Sequence, residues 1–172
     1  MRTIKTLLPL LLAVILCACA PAAVSSTPTA TARPTLDPSH LQSVMATYGL
    51  TQNTSLDPTK SNYTLYQSPA ADKLPSGALP DIEVSVFKNG ELAIEAFTKT
   101  GPDLATRKDL AGKIMTDLFS QDLSDQVLTT LETFSSMGLT DGSLQKDGYA
   151  IAIVYKQIKT DSFYLLIHFI PQ

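Results

Sequence analysis

Residues 37–172 predict an α+β domain. An antiparallel sheet of about four or five strands, built from two hairpins, packs against a helical pair and an N-terminal helix. Three observations carry this reading. Asp81 to Lys88 alternates apolar and polar residues and runs into Asn89-Gly90. Two stretches between Asp103 and Met137 place apolar residues at helical spacing. Gly148 to Ile158 and Phe163 to Ile170 are dense in β-branched and aromatic residues, as strands are.

In chain order, Asp37-Pro38 opens the first helix as N-cap and N1 residues. Leu41, Val44, Met45 and Tyr48 share one face, and Gly49 suits the position after the helix end. Thr51 to Ser61 is polar and turn-rich, Tyr63 to Gln67 reads as a short strand, and Ser68 to Pro80 reads as a loop with three prolines. A loop of that length is a candidate recognition surface. Ile82, Val84 and Val86 point one way and Asp81, Glu83 and Ser85 the other. Asn89-Gly90 then predicts a type I′ turn, which requires positive φ at both residues. The return strand, Glu91 to about Thr98, puts Leu92, Ile94 and Ala96 on one face, and Glu83, Glu91 and Glu95 face water or a helix edge.

Gly101-Pro102-Asp103 restarts the chain as a helix with the stripe Leu110, Ala111, Ile114, Met115, Leu118 and Phe119. A second helix, Ser124 to Met137, carries Val127, Leu128, Leu131 and Phe134, and Gly138-Leu139 predicts a Schellman stop. Asp141-Gly142-Ser143 and Asp147-Gly148 read as two turns. The last two strands, joined by a polar turn at Lys159 to Ser162, are apolar on both sides. They are either central strands, or strands covered by helices on one face and the N-terminal segment on the other.

Ahead of this domain the chain changes character. Arg2 and Lys5 precede an almost wholly apolar stretch from Leu7 to Leu16, the pattern of a secretory signal and too short to span a bilayer. Leu16-Cys17-Ala18-Cys19 then resembles the lipobox of bacterial lipoproteins, with Cys17 a mild departure at a position where Ala or Ser is usual. The resemblance implies that residues 1–18 are a signal peptide and that Cys19 is acylated and becomes the new N-terminus. It also implies a domain held at the extracytoplasmic side of a cell membrane. Residues 19–36, rich in Ala, Thr, Ser and Pro, read as a tether. Its reach is at most on the order of 50 Å at ~3.1 Å per residue.

Both cysteines of the chain lie at this boundary, so a disulfide framework in the domain is excluded. Loss of residues 1–18 removes two of thirteen basic residues and none of sixteen acids, taking the net charge from −3 to −5. That disfavours nucleic acid and anionic lipid surfaces, which demand basic patches. The lipobox resemblance makes the lipid on Cys19 the expected membrane partner, with an envelope protein or ligand as a further partner.

Little chemistry is written in the domain. His40 falls in the first turn of the first helix, and His168 lies in a strand between Ile167 and Phe169. No two histidines stand at ligand spacing, and there is no HExxH, CxxC, GxSxG or phosphate-cradling glycine loop. No catalytic residue, metal or cofactor is assigned. Asn53-Thr54-Ser55 and Asn62-Tyr63-Thr64 match glycosylation sequons, chance matches if the signal is bacterial. The expected function is a lipid-anchored, non-catalytic binding module. The alternatives are a small cell-envelope hydrolase and a carrier of an apolar ligand between sheet and helices.

Overall fold

The first helix begins where its chemistry places it. Asp37 is extended, and its Oδ1 accepts the Ser39 N–H at 3.0 Å, with Pro38 in the first helical position. Helix α1 (Pro38–Thr47) buries Leu41, Val44 and Met45. It ends on Gly49 at φ +69°, where the Gly49 N–H reaches Ala46 O and the Leu50 N–H reaches Met45 O. This is a Schellman motif whose flanking apolar pair, Met45 and Leu50, is buried. These and all further details come from a computed structural model that describes residues 35–57, 59–68, 82–97, 104–159 and 162–172. Residues 1–34, including the expected signal, Cys19 and most of the tether, lie outside the described residues, as does the 68–80 loop beyond Ser68.

Seven strands form one antiparallel sheet in the order β1-β2-β3-β4-β7-β6-β5. They are β1 (Thr51–Gln52), β2 (Tyr63–Gln67), β3 (Ile82–Phe87), β4 (Leu92–Phe97), β5 (Asp141–Lys146), β6 (Tyr149–Lys159) and β7 (Ser162–Pro171). The α+β class and the antiparallel sheet match the expectation, but the strand number does not. The two extra strands are the edges. β1 is two residues long and sits in the stretch read as turn-rich. β5 occupies Asp141-Gly142-Ser143, read as a turn because Asp and Gly are poor strand formers. The sheet recruits it through Leu144 opposite Ile151 and Gly142 opposite Ile153, and Lys146 Nζ lies 2.5 Å from Asp122 Oδ2 in the helical layer.

The two hairpin turns exchange roles relative to expectation. At Asn89-Gly90 only Gly90 has positive φ. The Phe87 N–H bonds to Glu91 O and the Gly90 N–H to Phe87 O, closing a three-residue loop, Lys88–Asn89–Gly90. The reason is parity. A two-residue loop would pair Lys88 with Glu91 and turn the apolar side of one strand away from that of the other. The observed register sets Ile82, Val84 and Val86 opposite Ala96, Ile94 and Leu92. The turn with positive φ at two successive residues is Asp147 (φ 52°) and Gly148 (φ 79°), between the paired Lys146 and Tyr149.

Helices α2 (Leu104–Leu118) and α3 (Gln121–Ser136) connect the two halves of the sheet. The Ser120 hydroxyl caps α3 by accepting the Leu123 N–H, so α3 starts three residues before the expected Ser124. Ser124, buried, instead donates to Gly112 O at 2.9 Å and joins the two helices where α2 carries no side chain. Gly138 and Leu139 form the expected Schellman stop.

All three helices contribute to one core. Ile114, Met115, Leu123 and Val127 meet Ile82, Leu92, Ile94, Ile151, Ile167 and Phe169, each at most 1% exposed. At roughly 1.5–3 kcal/mol per large apolar side chain buried, this face of the sheet carries the fold. The alternation on β7 is clean: Phe163, Leu165, Ile167 and Phe169 are buried, while Tyr164, Leu166, His168 and Ile170 are half-buried on the other side. The double-sided apolarity of the last two strands is thus a core face plus a face, called open below, that no helix among the described residues covers.

Candidate functional site

The open face is assembled by register. Leu65, Ser85, Ala93, His168 and Ala152 form one cross-strand row, and Gln67, Glu83, Glu95, Leu166 and Val154 the next. Tyr63 and Phe87 pair at the hairpin end of the same face. The result is a surface of half-buried aromatic and aliphatic side chains crossed by carboxylates, with the small residues Ser85 and Ala93 buried among them. Glu91 and Glu95 lie on it, on the side away from the helices, and Glu83 faces Glu95 across the β3–β4 ladder.

The densest chemistry sits at the hairpin end. The Tyr63 and Phe87 rings are 5.5 Å apart, and Phe87 lies 5.9 Å from the His168 ring. His168 Nε2 is 2.9 Å from Glu91 Oε2, with both side chains 26% exposed. The Asn89 amide donates to Glu91 Oε1 at 2.7 Å, and Asn89 Oδ1 accepts the Glu91 N–H at 3.2 Å. Both carboxylate oxygens are therefore engaged and the hairpin is locked from its own side chains. The Lys88 N–H donates to Asn62 O, tying β2 to the turn. Asn62, Phe87, Lys88 and Asn89 line a pocket of about 350 Å³ beside this row.

Farther along the face, the Tyr164 hydroxyl donates to Glu95 Oε2 at 3.2 Å. Burial, reinforced by the Glu95 charge and hydrogen bond, pushes the Tyr164 phenol up to about 12. Glu91 and Glu95 are four residues apart on one strand, or ~13 Å at 3.3 Å per residue, so they do not form an acid–base pair.

His168 has the partner of a catalytic histidine, but the serine that shares its row is out of reach. Ser85 shares its row, with Ala93 between them. Two strand spacings, ~10 Å, separate Ser85 from His168, beyond the reach of a nucleophile–base hydrogen bond. His40 is elsewhere. Its Nε2 donates to the Asp117 backbone oxygen at 2.7 Å and fastens α1 to the end of α2. The Tyr48 hydroxyl donates to Asp117 Oδ2 at 2.7 Å in the same clamp. Burial and the Asp117 carboxylate hold the Tyr48 phenol up at about 12. The structure does not bring the two histidines together, and among the described residues no three His, Cys, Asp or Glu converge as a metal site. Of the expected recognition loop, only its neck is described, where the Ser68 N–H bonds to Ile82 O.

Asn62, Tyr63, Phe87 and Asn89 were not distinguishable as a site by sequence spacing. Phe87 and Glu91 flank the turn and become neighbours of His168 only through the β4–β7 pairing. Arg107, 0% exposed, also escaped the sequence reading. It stands three residues before Leu110 and four before Ala111, which places it on the apolar stripe of α2.

No family model matches the chain, and no curated protein or solved structure is found similar to it.

Proposed function

We propose that this chain is a lipid-anchored extracytoplasmic binding module. Cys19 carries the lipid, residues 20–36 are the tether, and the open face of the sheet is the recognition surface. One observation carries the reading: the helices lie on one side of the sheet, leaving Tyr63, Phe87, Tyr164 and Leu166 half-exposed on the other. The polar groups among them, Glu91 with His168 and Glu95 with Tyr164, are held in pairs rather than poised over a nucleophile. That arrangement favours binding over hydrolysis. The apolar-carrier alternative is disfavoured by the helix–sheet interface, where Ile114, Met115, Ile151 and Phe169 meet at 0% exposure.

In-cell photo-crosslinking tests this reading, with a photoreactive phenylalanine analogue in place of Leu166. The expected result is a discrete adduct that is lost when the analogue stands instead at Gln126, an exposed position on α3 outside the sheet. Absence of any adduct from Leu166, or equal adducts from both positions, overturns the open face as the recognition surface.

No helix among the described residues is long and apolar enough to cross a membrane.

A further inference from the structure

We infer that the pocket at the β3–β4 hairpin takes a saccharide ring, an assignment that rests on the open face being a binding surface. A pyranose has one face of C–H groups and a rim of hydroxyls. It is recognised by an aromatic surface under the first and by amides or carboxylates around the second. The hairpin end supplies both parts. Phe87, which lines the pocket, is part of the continuous row Tyr63–Phe87–His168.

The rim is made of Asn62 and Asn89. Among the described residues, neither the Asn62 amide nor the Tyr63 hydroxyl spends its side-chain hydrogen bonds on the protein. Asn89 is different: its bonds to Glu91 hold its amide in a fixed orientation, and preorganised polar groups recover more of their binding energy.

Size narrows the ligand class further. The volume of about 350 Å³ equals roughly a dozen waters at ~30 Å³ each. That suits a mono- or disaccharide unit, and the half-open geometry suits one unit of a longer glycan.

The test uses the full lipidated chain in detergent micelles. It is titrated calorimetrically with neutral tetrasaccharides of β-1,4-linked glucose, β-1,4-linked N-acetylglucosamine and α-1,4-linked glucose. At least one is expected to bind saturably. Phe87→Leu, which keeps an apolar side chain but removes the ring face, should weaken that binding by about tenfold. Asn62→Ala, at an exposed position, should weaken it by about threefold. Gln145→Ala, on the far edge of the sheet, should leave it unchanged.

Two results overturn the proposal: no binding of any tetrasaccharide at about 10 mM, or binding that survives both Phe87→Leu and Asn62→Ala. If the saccharides fail while crosslinking from Leu166 still yields its adduct, the saccharide is wrong and the recognition face stands. Failure of both removes both.

Discussion

Two tyrosines make the alkaline limb of stability predictable at the level of single residues. Tyr48 and Tyr164 are held up at about 12, first by burial and then by Asp117 and Glu95, whereas an unfolded phenol ionises near 10.0. A raised folded-state value means that the native chain keeps protons the unfolded chain gives up. The associated stability is therefore complete below pH 10 and is lost as pH rises toward 12. Titration of phenolate absorbance should show at least two of the six tyrosines ionising late, together with loss of the folded signal. A single phenolate step near 10 in the folded protein contradicts this. Asp117→Asn should lower the Tyr48 value only partway, because burial, the larger cause, remains. A second prediction concerns two glycines with opposite tolerance. A Cβ on Gly142 would fall inside the Phe134 ring, so Gly142→Ala must displace that ring from β5, at a cost of about 1–3 kcal/mol. A Cβ on Gly112 comes too close only to the terminal Leu128 Cδ1, at 2.9 Å, and meets Ser124 Oγ at an ordinary 3.6 Å, while a helix gains about 1 kcal/mol from Ala over Gly. Gly112→Ala should be close to neutral in urea denaturation where Gly142→Ala is not.

At the scale of elements, the turns show what could be read from sequence and what could not. The apolar faces Ile82/Val84/Val86 and Leu92/Ile94/Ala96 are visible in the sequence, and together they already exclude a two-residue loop at Asn89-Gly90. The dipeptide signal points to a type I′ turn, but burial of both faces on one side decides the register. Asp147-Gly148 adopts the positive-φ pair because Leu144 must face Ile151 across a two-residue loop. A substitution follows from that geometry. Asp147→Val puts a β-branched residue at φ 52° and should cost about 1–2 kcal/mol, whereas Asp147→Asn should be tolerated. Equal denaturation midpoints for the two variants contradict the turn assignment. The caps at Asp37 and Gly49, the helix stripes and the central strands were legible because each is specified by residues within one turn or one strand. β1 and β5 were not, since their pairing partners rather than their own composition make them strands. The site was legible only in pieces. His168 and the three glutamates could be named from sequence, but the pairing of His168 with Glu91 depends on β4 meeting β7, 77 positions along the chain.

For the whole molecule, the sheet order joins two meanders at one seam. β1 to β4 run outward in sequence, the helices carry the chain across, and β5 to β7 return so that the last strand pairs with β4. That closure puts the helices on one face, and the proposed recognition surface on the other requires something else to hold the protein at its site of action. The mature domain offers no electrostatic hold, since the chain from Cys19 onward carries eleven basic residues against sixteen acids, and anionic membrane surfaces repel such a charge. Nor does any helix among the described residues suffice to cross a bilayer. On the proposed lipobox reading, retention falls to the acyl chains on Cys19. A single acyl chain binds membranes marginally and two or more bind firmly, so Cys19→Ser should move the protein from the membrane to the soluble fraction even at low salt. Cys17→Ser should leave it in place, because bulky Leu16 disfavours cleavage before Cys17. Mass spectrometry of the mature N-terminus separates the outcomes. A diacylated peptide beginning at Cys19 is the expected species. An unlipidated terminus, or a Cys19→Ser protein that stays with the membrane after a salt wash, overturns Cys19 as the anchor.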